Sequence, residues 1–386
     1  MRIVGIETFS LRVRSSEAYL GRLPDGTTPP AEYHVRSPWR SLYSEHFETV
    51  IVKITAEDGT AGWGEALAPV APEVPAAIID LLLGPLLKGA DATTPRPNWS
   101  MLSQLMRERG HLVGHQADAL AAVDIALWDL AGKLANRSIA ALLGGAFRSF
   151  IPTYVSGLPR PDNSQRAELA VEWQQQGATA VKLHLGHGVD SDLETVDAIR
   201  QAAPGLRIAV DAHWAYSLSD ALRLSGELAD RRAWFLEAPL APEDEEGHAE
   251  LRARSRIPIA VGETLRNRYQ FSRWLRNRTL DIAQPDVGRT GITEAMVISE
   301  LSAAQHVPVA PHHSVGLGIV LAAGLHVSAA IQDFLVFEYQ PTSTKVGEAV
   351  LHRPLDTMSN GFNLPSGPGL GIEVDETKIR SLAKES

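Results

Sequence analysis

The sequence predicts an α/β protein that combines a (β/α)8 (TIM-like) barrel with an α+β capping domain formed by the N-terminal third and the C-terminal tail. The first third alternates apolar and polar residues as an antiparallel sheet does, and eight short apolar runs separated by helix-length stretches follow residue 150. The length of 386 residues suits two or three domains of roughly 150 residues each. Hydrophobic residues make up 44% of the chain, so it can bury a large core.

The composition excludes several classes of protein. The chain contains no cysteine, which removes disulfides, thiolate nucleophiles and cysteine-ligated metals. The net charge is −10 without a basic tract, which argues against nucleic-acid or anionic-membrane partners. The N-terminus lacks the apolar core of a signal peptide, and no apolar run reaches the roughly 18 residues of a membrane span. We therefore expect a cytoplasmic protein, and we also expect a homo-oligomer.

The capping domain is predicted to contain a three-stranded antiparallel meander. Its strands carry β-branched residues in alternation, and the turn Glu57-Asp58-Gly59 separates the last two. An Ala-rich stretch with apolar residues at helical spacing predicts a helix over residues 117–133. We expect the capping domain at residues 1–125, completed by about 345–386, and the barrel at 126–344. The predicted strands cover residues 3–9, 48–54 and 60–66.

A long loop from Leu20 to His46 connects the first two strands of this meander. It is rich in Pro, Gly, Arg and aromatic residues, and long irregular loops within compact domains are usually functional or disordered. We expect it to be a lid that excludes water from the active site when substrate binds. Its aromatic and cationic members include Arg22, Tyr33, His34, Arg36, Trp39, Arg40 and Tyr43.

From residue 150 onward, short β-branched runs alternate with amphipathic stretches of helical length. This alternation is typical of repeated β-α units around a parallel sheet, and eight units in about 200 residues predict a (β/α)8 barrel. The eight runs cover residues 151–155, 180–185, 208–213, 234–238, 259–263, 280–286, 307–312 and 334–339.

Charged residues and histidines follow the C-terminal ends of these runs, where barrel enzymes place their catalytic groups. One residue from each of six consecutive runs forms a regular series with intervals of 23 to 26 residues: Asp211, Glu237, Glu263, Asp286, His312 and Glu338. That spacing is close to one β-α unit and predicts side chains at similar heights. A single acid after a strand is often only a helix cap, so the prediction of a site depends on the regular series and not on any one acid. Together with Lys182, His184 and His213, which lie at the ends of the second and third runs, this series supplies the candidate site residues.

Three of these acids, Asp211, Glu237 and Glu263, come directly after apolar residues in consecutive runs. Carboxylates that converge in a barrel mouth repel one another unless a cation lies between them. An all-oxygen ligand set without cysteine favours Mg²⁺ over zinc, with Mn²⁺ as a substitute. The sequence therefore predicts a Mg²⁺ site at the barrel mouth.

Several ordered motifs resemble the enolase superfamily, and within it the mandelate racemase subgroup with its muconate lactonizing enzyme-like members. The resemblance covers nearly the whole chain, and the Ala-rich helix is similar to the helix that leads into that family's barrel. The motifs are Asp211, Phe-Leu-Glu-Ala-Pro around Glu237, Val-Gly-Glu-Thr around Glu263, Gln-Pro-Asp ending at Asp286, Ala-Pro-His ending at His312, and Ala126 to Lys133 with Leu-Leu-Gly-Gly at 142–145.

The resemblance implies a metal, a base and a class of substrate. Asp211, Glu237 and Glu263 are expected to hold Mg²⁺, which binds the carboxylate of a small-molecule substrate. His312 and Asp286 resemble the subgroup's dyad on neighbouring strands, in which the carboxylate orients the imidazole and raises its basicity. This chemistry removes a proton next to a carboxylate and stabilises the resulting enediolate.

Further residues are expected to assist the dyad. Glu338 resembles the subgroup's acid on the last strand, which donates a hydrogen bond to the developing enolate when it is protonated. Arg289 either supports the dyad or has no part in it. His313 is the alternative to His312, but consecutive strand residues point to opposite faces, so only one of them should enter the mouth.

The second run departs from the Lys-x-Lys pattern common in the subgroup, because this chain has Lys182-Leu183-His184. Alternate residues of a strand share a face, so Lys182 and His184 should both point inward. His184 is either a base, since histidine titrates at about 6.5, or a ligand of a substrate hydroxyl. His213 resembles subgroup members that dehydrate sugar acids and use a histidine there to protonate the leaving hydroxyl. A hydrogen-bonded supporting role is the alternative for both histidines.

These residues together predict a Mg²⁺-dependent sugar-acid dehydratase that yields a 2-keto-3-deoxy product. The extra donors at Lys182, His184 and His213 favour a polyhydroxylated substrate. A racemase or epimerase of a 2-hydroxy or related acid is the alternative, because it needs only two bases on opposite faces of the α-carbon. Cycloisomerisation is less expected, since such relatives tend to keep a lysine base on a later strand and no predicted run after Asp286 contains a lysine. A catalytically silent binding protein would not need the full set of ligands and dyad residues.

Overall fold

The computed structural model describes residues 1–15, 33–39, 41–108 and 112–385, and it confirms a capping domain on a β/α barrel. The N-terminal part contains short and long strands followed by helices, in the predicted order. Its elements are β1 (Ile3–Val13), β2 (Tyr33–Val35), β3 (Leu42–Ser44), β4 (Phe47–Ala56), β5 (Ala61–Ala66), α1 (Glu73–Ile78), a π-helical turn (Ile79–Leu83), α2 (Gly84–Leu87), α3 (Pro95–Arg107), α4 (Gly114–Leu134) and α5 (Ile139–Leu142).

The capping sheet is the predicted antiparallel meander, in the order β1-β4-β5, and α4 packs against it. A Cβ on Gly64 of β5 would lie 1.9 Å from the carbonyl oxygen of Ala122, so glycine lets the strand and the helix approach closely. Helix α4 is buried from Ala117 to Gly132, between the sheet and the barrel helices. The boundary predicted after residue 125 lies inside this continuous helix, and we propose that the junction of the two parts follows α4.

The barrel consists of parallel strands that alternate with helices. Its strands run in the order β6-β7-β8-β9-β10-β11, and β12 pairs in parallel with β6. The seventh predicted run is not a regular strand, because its residues form only isolated bridges: Val309 with Ala283 and Phe334, and His312 with Asp286. The elements are β6 (Phe150–Ser156), α6 (Asn163–Gln175), β7 (Ala180–His184), α7 (Val189–Ala202), β8 (Arg207–Asp211), α8 (Leu218–Asp230), β9 (Leu236–Glu237), α9 (Glu245–Arg254), β10 (Ile259–Val261), α10 (Arg268–Arg276), β11 (Ile282–Ala283), α11 (Val287–Ala304), α12 (Gly318–Ala330) and β12 (Phe337–Tyr339).

An apolar layer fills the interior of the barrel. Four alanines leave room for the rings of a tyrosine and a phenylalanine, which is how small and large side chains fill a closed ring. A side chain two residues farther along each run points to the same interior, closer to the C-terminal mouth. The layer comprises Tyr154, Ala180, Ala209, Phe235, Ala260, Ile282, Ala310 and Val336.

The C-terminal tail contacts both parts of the chain. Glu376 lies 2.8 Å from Nζ of Lys53, and Arg380 lies 2.7 Å from Glu7, so the last helix folds back on the capping sheet as expected. A short hairpin before it adds an antiparallel strand to β6 of the barrel. The tail elements are α13 (Pro341–Gly347), a 3-10 turn (Glu348–Val350), β13 (Thr357–Met358), β14 (Gly361–Asn363) and α14 (Glu376–Glu385).

Helix α12 is buried along its whole length, yet it is only 13 residues long. Across the described residues, no helix combines the length and the apolar character needed to cross a membrane.

Two buried carboxylates of the capping part bind backbone N–H groups of barrel helices. Glu65 accepts from Leu317 and Val320 at 2.6 and 3.0 Å, where α12 begins. Asp124 accepts from Thr293 at 2.7 Å, where α11 resumes after an internal break. Both carboxylates are wholly buried, and burial raises the pKa of each to about 7. These bonds join the two parts of the chain through groups whose protonation depends on pH.

We expect these two carboxylates to lower the free energy of unfolding as pH rises. Their folded pKa values lie above the unfolded ones near 4, so between about pH 4 and 7 the folded chain binds more protons. Their contribution is present below that window and is lost as pH rises through about 7. Urea unfolding of Glu65→Gln with Asp124→Asn should show a pH dependence flattened by on the order of 2 kcal/mol per group. If the free energy of unfolding of the double variant depends on pH as strongly as that of the exposed control Glu243→Gln, the prediction is contradicted.

Candidate active site

The polar residues of the barrel mouth lie two residues beyond members of the apolar layer. Because alternate residues of a strand share a face, they project toward the barrel axis above that layer. This relation holds on seven of the eight runs. The resulting residues are Ser156, Lys182, Asp211, Glu237, Gln284, His312 and Glu338.

The fifth run departs from this relation, because the residue two beyond Ala260 is Gly262. A Cβ on Gly262 would lie 2.7 Å from the backbone of Gln284, so the neighbouring run leaves no room for a side chain. The acid follows one residue later, at Glu263. Glu263 accepts a hydrogen bond from Nε1 of Trp214 at 3.0 Å, which holds it at the mouth.

The three predicted metal ligands project from adjacent positions around the ring. Asp211 and Glu237 are in register on β8 and β9, and Glu263 follows β10. Asp211 has two close nitrogen neighbours: it lies 3.2 Å from Nδ1 of His184 and 3.3 Å from Nδ1 of His213. The three predicted ligands fall into two groups, and within each group the possible ligand atoms lie within 4.8 Å of one another. One group contains His184, Asp211 and His213, and the other contains Glu237, Glu263 and His312.

This donor set fits a hard divalent cation. Glu237 is almost wholly buried, and burial raises its pKa to about 7 although Lys182 opposes the rise. The charge of Asp211 raises it further, since like charges on adjacent strands repel. A divalent cation bound by these oxygens would offset that repulsion, and carboxylate oxygens are the protein ligands that Mg²⁺ prefers.

Lys182 is fully buried between two carboxylates. Its Nζ lies 2.7 Å from Glu237 and 2.9 Å from Glu338. Although burial favours the neutral amine, the two carboxylates raise the pKa of Lys182 well above its usual range. The side chain is therefore an ammonium at neutral pH. It is suited to hold negative charge and not to accept a proton.

His312 and Asp286 are in contact, with Nδ1 of His312 2.6 Å from the carboxylate. This bond orients the ring and directs Nε2 into the mouth, 3.0 Å from Glu263 and 3.7 Å from Glu338. Burial lowers the pKa of His312, but the surrounding carboxylates outweigh it and raise the pKa well above the ordinary histidine value. The imidazole thus has a strong affinity for a proton at the nitrogen that faces the mouth.

The alternative to His312 and the residue considered as a support of the dyad both lie elsewhere. His313 stacks on Phe337 with ring centroids 5.9 Å apart, and burial lowers the pKa of His313 to about 4. Arg289 lines a pocket beside Trp99 and Leu120 of the capping helices. Neither side chain points into the mouth, because the alternation of strand residues turns His313 outward and Arg289 lies in the first turn of α11.

Ser156 connects two of the predicted residues. Its hydroxyl donates to Glu338 at 2.5 Å, accepts from Nε2 of Gln340 at 2.9 Å, and lies 3.1 Å from Nε2 of His184. Since Nδ1 of His184 is bonded to Asp211, both nitrogens of this ring are engaged. Burial lowers the pKa of His184. This histidine is therefore anchored within the network.

Glu338 carries a negative charge in this arrangement. Burial alone would favour its neutral form, but Lys182 and His312 lower the pKa of Glu338 to about 2. An ionised carboxylate accepts hydrogen bonds, whereas the donor role expected from the sequence needs a protonated one. The two neighbouring cations, which lie on other runs of the barrel, are the reason for this difference.

The described part of the predicted lid covers the mouth. Trp39 is 6% exposed, stacks on His213 with ring centroids 4.4 Å apart, and donates through Nε1 to the carbonyl oxygen of Leu185 at 2.7 Å. The short hairpin of β2 and β3 flanks this contact. The predicted lid residues Arg22 and Arg40 lie outside the described residues.

Replacing Trp39 by alanine should release the lid from the barrel. The variant loses a ring stack and a hydrogen bond, each worth on the order of 1 kcal/mol. Backbone amides of residues 33–45 should then exchange with deuterated water roughly tenfold faster. Trp39→Phe keeps an aromatic ring but loses the indole N–H, so its exchange rates should lie between those of the unchanged protein and those of Trp39→Ala. Exchange rates unaffected by Trp39→Ala would show that this contact does not hold the lid.

Sequence reasoning assigned no site role to the uncharged members of the mouth, namely Ser156, Gln284 and Gln340, although Gln284 was part of a recognised motif. Gln284 donates to Glu237 at 2.6 Å, so it orients a predicted metal ligand. The signal was available, because Ser156 and Gln284 stand two residues beyond interior apolar residues, as the charged residues do. Trp39 was assigned to the lid, but its contact with His213 could not be predicted, because the two residues are far apart in the sequence.

Two family descriptions match the chain over most of its length. Residues 41–144 match the N-terminal domain of mandelate racemase / muconate lactonizing enzyme, and residues 165–378 match the domain described as enolase C-terminal domain-like. These ranges correspond to most of the capping part and most of the barrel. They include every residue placed in the mouth except Ser156 and Trp39.

Named relatives and solved structures are similar over nearly the full chain. The D-galactarolactone cycloisomerase of Agrobacterium fabrum is 34% identical over 365 residues, covering 90% of this chain and 95% of the relative. The arabinonate dehydratase of Saccharolobus solfataricus is 30% identical over 341 residues, covering 87% and 90%. The crystal structure of an enolase superfamily member from Agrobacterium tumefaciens is 37% identical, with a TM-score of 0.93 over 98% of each chain.

Proposed function

Because the chain belongs to the mandelate racemase and muconate lactonizing enzyme family of the enolase superfamily, we propose that it is a Mg²⁺-dependent lyase of sugar acids. It removes the proton next to the carboxylate and eliminates a hydroxyl from the adjacent carbon. The main support is that Nε2 of His312 lies 3.0 Å from Glu263, one of the three carboxylates suited to a cation. The proposed base and a proposed metal ligand are therefore in contact within the mouth.

Asp211, Glu237 and Glu263 would hold the cation. When bound, Mg²⁺ polarises the substrate carboxylate and offsets the charge that develops as the α-proton leaves. Lys182 adds a fixed ammonium beside two of these groups, within reach of the same developing charge. Gln284 keeps Glu237 in place.

His312 takes the α-proton at Nε2, while Asp286 keeps the ring oriented through Nδ1. The electrons of the broken C–H bond move into the carboxylate, which becomes an enediolate. If Glu263 binds a cation, its negative charge would raise the pKa of His312 less. The neutral imidazole, which is the form that accepts the α-proton, would then be populated nearer neutral pH. Trp39 closes the mouth and excludes water.

His213 is suited to protonate the leaving hydroxyl. Its Nδ1 lies 3.3 Å from the proposed metal ligand Asp211, so the ring stands at the edge of the metal site, where a hydroxyl would leave. The bond between the β-carbon and oxygen breaks as the enediolate electrons form a carbon–carbon double bond, and the hydroxyl leaves as water with the proton from His213. The enol product then takes a proton at C3 and becomes a 2-keto-3-deoxy acid.

Opening of a sugar-acid lactone is the second candidate, and 34% identity to a D-galactarolactone cycloisomerase favours it. The α-proton leaves in the same way, but the departing group is the ring carboxylate, which needs no acid. Epimerisation has less support, because it needs a second base opposite His312. Lys182 is held as an ammonium, and both nitrogens of His184 are engaged.

Product mass in deuterated water separates these reactions. The chain with Mg²⁺ is incubated with aldonic acids, aldaric acids and their lactones. Dehydration gives a keto acid that has lost one water and carries deuterium at C3. Lactone opening gives a keto acid that carries deuterium but has lost no water, and epimerisation gives deuterium at C2 without a ketone. Failure to turn over any of these compounds would refute the sugar-acid assignment.

A further inference from the structure

A pocket outside the active site lies between the capping helices α3 and α4 and the barrel segments that follow β10 and β11. It is formed by aromatic and polar side chains together with three arginines. None of the residues placed in the barrel mouth lines it. The lining residues used below are Trp99, Arg107, Arg266, Tyr269, Arg289 and Glu294.

Two of the three arginines have no carboxylate partner among the described residues. Arg289 makes no side-chain hydrogen bond or ion pair there, and its Nε is buried without an acceptor. Arg107 donates to the hydroxyl of Tyr269 at 2.6 Å, and its guanidinium lies 5.1 Å from the centroid of that ring. A buried N–H group without an acceptor is costly, so the pocket lacks a partner for these cations.

The acids nearest to the pocket are committed to other cations. Asp118 lies 3.2 Å from Nε of Arg266, and Glu294 lies 2.7 Å from the guanidinium of Arg268 and also accepts from its backbone N–H. Burial and the adjacent charge of Arg289 lower the pKa of Arg266, although Asp118 opposes this. Asp118 and Glu294 also interact electrostatically with Arg289 and Arg107, but neither acid forms an ion pair with them. Arg107 and Arg289 are therefore the arginines of the pocket without a carboxylate in contact among the described residues.

We propose that this pocket binds an oxyanion between Arg107 and Arg289. Phosphate and carboxylate groups both offer the paired oxygen acceptors that match a guanidinium fork. Trp99 and the half-exposed Tyr269 form aromatic walls of the same pocket. The site is separate from the active site, although the segments after β10 and β11 contribute residues to both.

Calorimetric titration of the full Mg²⁺-loaded chain with inorganic phosphate, and separately with acetate, tests the proposal. Arg289→Gln should weaken binding of the preferred anion by roughly ten- to a hundredfold. Asp118→Asn should strengthen it, because a competing negative charge is removed. The exposed Arg353→Gln in the tail makes the same charge change elsewhere and should leave the affinity unaltered. Arg107→Gln, at the exposed rim, provides a second variant should Arg289→Gln not fold.

The outcomes distinguish the sources of the anion. Tighter binding of phosphate assigns the pocket to a phosphate group, and tighter binding of acetate assigns it to a carboxylate; either supports an oxyanion site. Loss of binding in Asp211→Asn would locate the anion at the barrel mouth and overturn the proposal. Equal affinities in Arg289→Gln and Arg353→Gln, or no binding of either probe, would also overturn it.

Discussion

His312→Asn should lower kcat by roughly two to four orders of magnitude, the usual contribution of a general base. Asparagine can still bond Asp286, but it offers no nitrogen that accepts the α-proton. The neighbouring His313→Asn is a matched control, since it changes the same residue type one position away with a side chain packed on Phe337. Turnover and wash-in of solvent deuterium at the α-carbon should both fail in His312→Asn only. Comparable losses in the two variants would rule out His312 as the base.

Removal of the metal should abolish turnover, and added Mg²⁺ should restore it. Glu237→Gln should weaken Mg²⁺ binding by more than the roughly 10- to 100-fold typical of residues that only orient a ligand. The barrel keeps its apolar interior in this variant, so its melting temperature should change far less than its activity. Glu294→Gln, a buried acid outside the mouth, is the control for loss of a carboxylate. Full activity in metal-free buffer would refute the metal requirement.

The barrel and most of its mouth were predictable from local patterns. Ala180 and Lys182, Ala209 and Asp211, and Ala310 and His312 each combine an apolar interior residue with a polar residue two positions later. Sequence alone defines such pairs, because alternate strand residues share a face. The same pattern extends to Ser156 and Gln284, which a search limited to charged residues overlooks.

Other features were visible only in part. The seventh run contains the correct residues, but single bridges replace a regular strand there. Glu263 stands one position later than the pattern requires, because the backbone of Gln284 occupies the space beside Gly262. These departures depend on the neighbouring strand and not on the run itself.

By itself the sequence determined the architecture through its periodicity, and it identified Asp211, Glu237 and Glu263 as candidate ligands from their places at the run ends. The pair of His312 with Asp286 came from the resemblance of its motifs to the family. Only the tertiary structure decided the partners and the charge states. Trp39 bonds a carbonyl 146 residues away, and Glu338 is ionised because Lys182 and His312 surround it. Electrostatic and packing energies depend on separation in space, which the chain sets only when its distant segments have folded together.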